Sequence, residues 1–150
     1  MAKVEVKDLV RVKPKHPKQT LHLTLPVPPS NNAIYYNVRG GGRRLTARAQ
    51  NYIRDSRASI NDQLVRTKWV KPGIGEWMYL DLAFYFPDKR IRDSHNCLKI
   101  LMDVLETIVY DNDYNVMPRI QFVEYDKENP RVEMYFTYQT TEREKLHAVN

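Results

Sequence analysis

Residues 77–86 read WMYLDLAFYF, a run in which large apolar side chains stand at every second position. This alternation predicts a β-strand with one buried face, because successive side chains of a strand point to opposite sides of its sheet. After a polar stretch the period changes, and apolar residues recur every three or four positions from about Ser94 to Val109. That period predicts an amphipathic helix. Its buried stripe consists of Leu98, Leu101, Leu105 and Ile108.

The same two periods predict the elements on either side. A short strand is expected at 22–25, and Thr46 is a favoured N-cap for a helix over 47–65. Two further strands, at 119–125 and 132–138, are separated by a polar turn. The order strand, helix, strand, helix, strand, strand predicts an α+β fold, in which a small mixed β-sheet carries two main helices on one face.

The length of 150 residues predicts one domain, over residues 20–140, with a segment at each end. Residues 1–19 form a basic N-terminal extension, in which lysine and arginine outnumber aspartate and glutamate. Pro14 and Pro17 disfavour regular structure near its end, whereas a short strand could form from Val4, Val6, Leu9, Val10 and Val12. A flexible arm and a docked strand therefore both stay open. Residues 141–150 are predicted to be a polar C-terminal tail.

Composition narrows the functional classes. The formal net charge of +6 favours polyanionic partners. The single cysteine, Cys97, excludes an internal disulfide and any zinc site built from several cysteines. No apolar run reaches ~18 residues, and the first residues lack the apolar stretch of a signal peptide. We therefore expect a cytoplasmic protein without membrane contact.

Carboxylates stand at both ends of the second predicted helix. Asp93 precedes it, Asp111 and Asp113 follow it, and Lys99 lies between them. Hard oxygen ligands favour Mg²⁺ or Mn²⁺, and such a metal can activate water and stabilise charge on a phosphorus centre. Lys99 would hold a phosphate or offset charge in the transition state. The pattern suits a site that holds a divalent metal against a phosphate.

Each of these residues also has an ordinary structural interpretation. Aspartate is a favoured N-cap, which is sufficient for Asp93, and Asn and Asp dominate turns, which is sufficient for 111–115. Lys99 and Asp103 are spaced as a solvated ion pair worth ~0.3–0.5 kcal/mol. His95 is typical of a surface histidine. No single residue separates the two interpretations.

Three ordered motifs resemble the RusA family of Holliday junction resolvases, which are small homodimeric endodeoxyribonucleases of phage and prophage origin. The stretch LTLPVPPSNN at 23–32 is similar to the family's opening strand and its Pro-Pro-Ser-x-Asn turn. PDKRIRDSHN at 87–96, followed by Lys99, resembles the pattern Pro-Asp, basic residues, then Asp-x-Asp-Asn-x-x-Lys. NDYNV at 112–116 resembles Asp-Asp-x-Gln-Val.

The resemblance implies roles for individual residues. Asp93 and Asp113 fall on metal-binding catalytic aspartates, and Lys99 falls on a catalytically important lysine. Asn96 and Asp103 occupy typical motif positions. The implied activity is Mg²⁺-dependent nicking of paired strands at a four-way DNA junction by a homodimer, with Mn²⁺ as the alternative metal. A phage or prophage origin places the protein in the cytoplasm of a bacterial host cell.

Two positions depart from the family pattern. His95 stands where the family carries another essential aspartate, and Asn112 replaces the first residue of the Asp-Asp pair. A neutral imidazole suits Mn²⁺ or Zn²⁺ better than Mg²⁺. Three outcomes stay open. The enzyme works with an altered metal preference and His95 as ligand or proton shuttle, Asp111 or Asp88 supplies the missing charge, or the chain binds junctions without cutting them.

Basic residues are clustered on a glycine-rich loop with the start of the first helix, and again just before Asp93. We expect them to bind the DNA backbone without reading its sequence. The predicted DNA-binding residues are Arg39, Arg43, Arg44, Arg48, Lys89, Arg90 and Arg92.

Overall fold

The computed structural model describes residues 19–30, 33–73, 76–90 and 92–138. The predicted N-terminal extension, apart from Gln19, and the predicted C-terminal tail lie outside the described residues. No helix among the described residues is long and apolar enough to cross a membrane. The elements are β1 (Leu21–Leu25), β2 (Tyr35–Asn37), β3 (Arg43–Leu45), α1 (Ala47–Val65), β4 (Met78–Phe86), a 3₁₀ helix (Ser94–Cys97), α2 (Leu98–Leu105), a later 3₁₀ helix (Asp113–Asn115), β5 (Val116–Tyr125) and β6 (Arg131–Tyr138).

Four strands form a mixed sheet in the order β1–β6–β4–β5. β1 and β4 both pair antiparallel with β6, whereas β5 runs parallel to β4. Parallel neighbours need a long crossover connection, and α2 lies in the connection between β4 and β5. Asp93 and Asp113 flank α2 within this crossover. The sheet topology therefore places both acidic motifs in a single connection.

β2 and β3 form a separate two-stranded antiparallel sheet. The turn between them contains Gly40, Gly41 and Gly42, whose φ angles are 97°, 103° and 90°. Glycine adopts positive φ at little cost, which explains the glycine run in this basic loop. The hairpin leads into α1, whose N-cap Thr46 accepts a hydrogen bond from the backbone N–H of Ala49. The prediction of Thr46 as the cap of a helix over 47–65 is confirmed.

The hydrophobic core lies between the sheet and the two helices. Alternate β4 side chains from Met78 to Phe86 are buried in it, as the period of the sequence predicts. α1 contributes Ile60, and α2 contributes Leu101 and Leu105. The prediction of an α+β fold with a small mixed sheet and two main helices is confirmed.

The second helix is shorter than the apolar period predicts. It ends at Leu105 rather than Val109, and its first turn is a 3₁₀ helix. Thr107 has a φ of 72°, a left-handed conformation that stops an α-helix. Its backbone N–H donates to the Tyr110 carbonyl at 2.7 Å, so the chain turns back on itself. The apolar period outlasts the helix because this turn also packs against the core.

The two edges of the sheet differ. β1 is covered by Gln63 of α1, whose side chain bonds both the N–H and the C=O of Thr24, at 3.0 and 2.7 Å. β5 is the other edge, and it begins at Val116, earlier than the predicted start at Arg119. Several of its apolar side chains are exposed, namely Phe122, Val123 and Tyr125. No strand among the described residues pairs with β5 on the side that faces away from β4.

Candidate active site

Asp93 ends the loop after β4 and begins the helical crossover. Its Oδ1 accepts the backbone N–H of His95 at 3.0 Å, which makes Asp93 the N-cap of the first 3₁₀ turn. The same oxygen lies 3.0 Å from Nδ1 of the His95 ring. Both side chains are exposed, at 59% for Asp93 and 78% for His95. The structure therefore brings these two predicted site residues together, and the cap occupies one of the two oxygens of Asp93.

The contact with Asp93 determines how the His95 ring can act. When Nδ1 carries a proton, it donates to Asp93 and leaves the lone pair of Nε2 free. A histidine held by a carboxylate in this way is typical of metal ligands and of proton shuttles. His95 is thus a competent group for either role, although it carries no negative charge.

Lys99 and Asp103 lie on the exposed face of α2. Nζ of Lys99 is 4.0 Å from Oδ2 of Asp103, which confirms the ion pair predicted from their spacing. Both side chains are solvated, so water screens the pair and it contributes little to stability. Asn96 is also exposed, three residues before Lys99. The Lys99 ammonium is therefore accessible to an anionic ligand.

The residues after α2 form a hydrogen-bonded turn. The side chain of Asn112 accepts the Tyr114 N–H at 3.2 Å and caps the later 3₁₀ helix, in whose first turn Asp113 is exposed. Asp111 is exposed and pairs with Lys71 at 2.9 Å. Asn112 thus has a capping function, which an aspartate would perform equally well.

The Tyr110 side chain lies near three carboxylates. Burial raises the pKa of Tyr110 above its usual value, and the charges of Glu106, Asp113 and Asp103 raise this pKa further. The Tyr110 hydroxyl donates to the Met102 carbonyl at 2.7 Å, which holds the ring against the end of α2. Asp113 and Asp103 therefore each lie within electrostatic range of the Tyr110 hydroxyl.

The predicted metal ligands form two partial sets. Asp93 and His95 are paired at the start of the crossover, and Asp113 stands near its end, in the later 3₁₀ helix. In the part of the chain that the structure describes, no three His, Cys, Asp or Glu side chains lie close enough to hold one metal ion. The donors fit Mg²⁺ or Mn²⁺ in their chemistry, since they are carboxylate oxygens and an imidazole nitrogen. Neither set by itself contains three candidate ligands among the described residues.

Asp88 is bound by the arginines of its own loop. Its Oδ1 accepts the Arg90 N–H at 3.0 Å and forms an ion pair with Arg92 at 2.8 Å. The hydrogen bond from Arg92 is the main cause that holds the pKa of Asp88 below its usual value, and the bond from Arg90 adds to it. Arg92 also lies over the Phe86 ring, 5.0 Å from the centroid. Both alternative carboxylates, Asp88 and Asp111, are thus already paired with basic side chains.

The predicted DNA-binding residues differ in how they are held. Arg39 lies in the β2–β3 turn, Arg43 and Arg44 in β3, and Arg48 in the first turn of α1, and all are exposed. None of these four forms an ion pair with another described residue. Lys89 instead lies over the Tyr125 ring, 4.8 Å from its centroid. The hairpin and the start of α1 therefore present unpaired positive charge.

Two residues outside the predicted catalytic, metal and DNA-binding sets support the crossover. Arg57 of α1 donates to the Glu106 carbonyl and to the Thr107 hydroxyl, both at 2.8 Å. Asn115 is buried and donates to the backbone carbonyl of the buried Glu76 at 2.8 Å. The sequence contains a signal for Asn115 alone, because the motif at 112–116 has an amide at that position. Arg57 is one of several arginines in its region, and nothing in a single sequence distinguishes it.

Most of the chain matches a known protein family. Residues 26–136 match the family described as Endodeoxyribonuclease RusA. This chain belongs to the RusA family. One curated relative is the crossover junction endodeoxyribonuclease rusA of Enterobacteria phage 82, which is 35% identical over 86 residues. Those residues are 57% of this RusA-family chain and 67% of the relative. The family match spans the whole crossover, from Asp93 through Lys99 to Asp113.

Proposed function

We propose that this RusA-family chain is a divalent-metal-dependent endodeoxyribonuclease that resolves four-way junctions and other branched DNA by paired nicks, in recombination and repair. The observation that carries the proposal is the crossover, in which acidic groups flank α2 and Lys99 is exposed between them. The name of the phage 82 relative, a crossover junction endodeoxyribonuclease, describes the same class of activity.

The metal is assigned to Asp93 and Asp113, with Nε2 of His95 or the Asp111 carboxylate as a further ligand. Bound Mg²⁺, or Mn²⁺ in its place, would supply Lewis-acid stabilisation of charge and an activated water. The Asp93 cap and its contact with the imidazole both use Oδ1, so Oδ2 is left for a cation. Asp113 is exposed in the first turn of its 3₁₀ helix, where a cation from solvent reaches it.

Lys99 is assigned to the scissile phosphate. Its ammonium group is exposed on α2 and forms a loose ion pair with Asp103, in which Nζ and Oδ2 are 4.0 Å apart. A positive charge at that place offsets the negative charge that builds on phosphate oxygens as a phosphodiester is cut. Asp103 forms only a solvated ion pair with Lys99, which the lysine can exchange for a phosphate, and Asn96 lies three residues before Lys99 to position the substrate.

The DNA backbone is assigned to the basic residues at both places on the chain. The hairpin arginines and Arg48 form no ion pair with a described carboxylate, so they can bind a phosphate without breaking one. Arg90 and Arg92 share Asp88, so part of their charge is already offset. Contacts of this kind position a substrate but do not read its sequence, which fits selection by DNA shape.

The active form is assigned as a homodimer, because paired nicks in two strands need two active sites. The β5 edge exposes Phe122 and Val123 and has no strand beyond it among the described residues, so a second copy could pair there. Size-exclusion chromatography with light scattering measures the mass. A monomer at concentrations that cut junctions contradicts this assignment.

A synthetic four-way junction tests the enzyme assignment, with Mg²⁺ and with Mn²⁺ in separate reactions. Paired nicks are expected in at least one metal. Asp93→Asn should abolish cleavage and keep junction binding, because asparagine still caps the helix but loses the charge that binds the metal. The matched control is Asp55→Asn, an exposed aspartate of α1 paired with Arg54. Intact binding with no nicking in either metal contradicts the assignment.

The second candidate is a junction-binding protein without nuclease activity. Two observations favour it: His95 stands where an aspartate is expected, and no three ligands converge among the described residues. Such a protein would bind junctions tightly and would leave them uncut in both metals. Asp93→Asn would then behave like the parent protein in both the binding assay and the cleavage assay.

A further inference from the structure

A cleft of about 460 Å³ lies beside the crossover, formed by four separate parts of the chain. They are the loop after β1, the first turn of α1, the loop after β4, and the turn before β6. Its walls carry the rings of Pro28, Pro29, Pro87 and Pro130. None of the residues assigned above to the metal or to the scissile phosphate lines it. We call it the proline–arginine cleft.

Three guanidinium groups reach the proline–arginine cleft, those of Arg48, Arg90 and Arg92. Asp88 is paired with Arg92 at 2.8 Å and with Arg90 at 3.5 Å. The lowered pKa of Asp88 keeps that carboxylate ionised, so a single negative charge offsets the two arginines of this loop. Arg48 forms no ion pair with a described residue. The cleft therefore keeps a net positive charge and suits an anionic ligand.

The apolar walls narrow the class of ligand. Proline rings are rigid, so the half-buried rings of Pro87 and Pro130 present fixed apolar surfaces, and the buried Pro28 and Pro29 lie behind the same wall. Planar guanidinium groups bind phosphate through two parallel hydrogen bonds, and they also stack on bases. Flat apolar surfaces beside such groups suit a ligand that combines a planar ring with a phosphate, which is a nucleotide.

The size of the cleft suits a single nucleotide. Its volume falls within the range of ~300–1,000 Å³ that is common for small-molecule sites. A base that is paired and stacked cannot leave the helix to enter without a cost of a few kcal/mol. Branched DNA has bases near its crossover that lack full stacking, and those enter most easily.

We propose that the proline–arginine cleft binds one unpaired nucleotide of the branched DNA, with its base against the prolines and its phosphate on Arg48. The inference rests on the proposed function, because it assumes that the chain binds branched DNA. It goes beyond that function by adding contact with a base to the contacts with the backbone. The cleft would favour junctions whose bases are already unstacked at the point of exchange.

The experiment uses the full chain and a set of four-way junctions, each with one abasic site at a different position near the crossover. Affinity is measured without divalent metal, so that no strand is cut. Removal of the base that enters the cleft should weaken binding by about tenfold, a usual loss for one stacked base, and the other abasic sites should have little effect. A 2-aminopurine at that same position should change its fluorescence on binding.

Two variants connect the effect to the cleft. Arg48→Ala removes the unpaired guanidinium, and Ser30→Tyr fills the cleft without a change of charge, since Ser30 lines it. Both should bind the intact junction about as weakly as the parent binds the sensitive abasic junction. The matched control is Arg54→Ala, on the same helix but paired with Asp55 and outside the cleft. Circular dichroism confirms that each variant is folded.

The outcomes separate the two proposals. If the chain binds no junction at all, the proposed function fails and the cleft inference fails with it. If junctions are bound but every abasic junction binds as well as the intact one, the cleft inference alone is overturned. The cleft inference is also overturned if Ser30→Tyr weakens the binding of the intact junction and of the sensitive abasic junction equally. The lost contact would then be to the backbone and not to the base.

Discussion

Asp93 carries two contacts on one oxygen, and this division of its carboxylate matters for the chemistry. Oδ1 accepts the His95 N–H and contacts the His95 ring, both at 3.0 Å. The second oxygen takes part in neither contact. Asp93 can therefore cap the 3₁₀ helix through Oδ1 and bind a metal through Oδ2 at the same time. The two roles that the sequence suggests for Asp93 do not exclude each other.

The exchange of a carboxylate for the imidazole at position 95 should change the preference for a metal. His95→Asp adds a hard, negatively charged oxygen donor, which Mg²⁺ prefers to a nitrogen. We expect the ratio of Mg²⁺-supported to Mn²⁺-supported cleavage to rise by about tenfold or more. Initial rates on a labelled junction in each metal give the ratio.

His95→Gln is the control for that exchange, because it keeps a polar side chain without a charge and without an imidazole. An unchanged ratio in His95→Asp would show that residue 95 does not touch the metal. Strong cleavage gained from an inactive parent would instead identify the natural chain as a junction-binding protein.

Cys97 should react slowly with thiol reagents in the folded protein. Burial raises its pKa to about 11, and the nearby charge of Asp93 raises the pKa as well. At pH 8 the thiol is then almost entirely protonated, whereas in an unfolded chain, with a pKa of about 8.5, a sizeable fraction is thiolate. Ellman's reagent at pH 8 should react much faster in guanidinium chloride than in buffer.

The Asp93→Asn variant checks the electrostatic part of this expectation. Loss of the negative charge lowers the pKa of Cys97, so the folded variant should react faster than the folded parent. A parent thiol that reacts equally fast in folded and unfolded protein would contradict the buried position of Cys97.

At the scale of elements, the end of α2 is held from α1. The Arg57 guanidinium donates to the carbonyls of Val104 and Glu106, at 3.2 and 2.8 Å, and to the Thr107 hydroxyl. These carbonyls belong to the last turn of a helix, where no further N–H is available to them. The left-handed Thr107 follows at once, so Arg57 fixes the place at which the chain leaves α2 for the acidic turn.

Arg57→Ala should lower the free energy of unfolding by about 2 kcal/mol, because charged hydrogen bonds to partly buried carbonyls are lost. Urea denaturation followed by circular dichroism measures the change. Arg54→Ala is the control, since Arg54 is exposed and pairs with the neighbouring Asp55 in a contact that water screens. Equal stabilities of the two variants would contradict a stabilising role for the hydrogen bonds of Arg57.

At the scale of the whole molecule, positive charge is distributed over two surfaces with different properties. The β2–β3 hairpin carries arginines without a described ion-pair partner, whereas the loop after β4 carries arginines that share Asp88. The first surface suits contacts that depend on charge alone. The second surrounds the proline–arginine cleft, where shape also contributes.

The hairpin arginines should control the salt dependence of binding. The double variant Arg43→Gln with Arg44→Gln removes two phosphate contacts, and we expect the slope of log affinity against log salt to fall in magnitude by about 2. Fluorescence anisotropy with a junction at several salt concentrations gives the slope. Arg66→Gln, at the exposed C-cap of α1, is the control and should keep the slope of the parent. If the double variant also kept the slope of the parent, the assignment of the hairpin arginines would be contradicted.

Much of the fold could be predicted because it follows from local patterns. The cap at Thr46 and the apolar positions that follow predict α1, and the alternation in β4 predicts a half-buried strand. The end of α2 could not be predicted in this way. Its apolar period continues to Val109 because the following turn also packs on the core, so the period reports burial rather than helical conformation.

The candidate site was predictable in its residue types but not in its arrangement. The order of Asp93, Lys99 and Asp113 along the chain is a property of the sequence. The pairing of Asp93 with His95 follows from a local cap, and an inspection of the sequence could have found it. The place of Asp113 beside the end of α2 depends on the course of the whole turn, and no pattern in the sequence reports it.

The sequence by itself determined the two main helices, the four strands of the main sheet, their order and the chemical types at the site, because cap residues and apolar periods act over a few neighbouring residues. It predicted the β2–β3 hairpin only as a glycine-rich basic loop. The tertiary structure alone decided where α2 ends, which carboxylates are paired with arginine or lysine, and that four parts of the chain enclose the proline–arginine cleft. Arg57 and Glu106 are 49 residues apart, yet a hydrogen bond joins them at the end of α2. Contacts between such distant residues add free energies comparable to local propensities, so they override the local pattern wherever the two disagree.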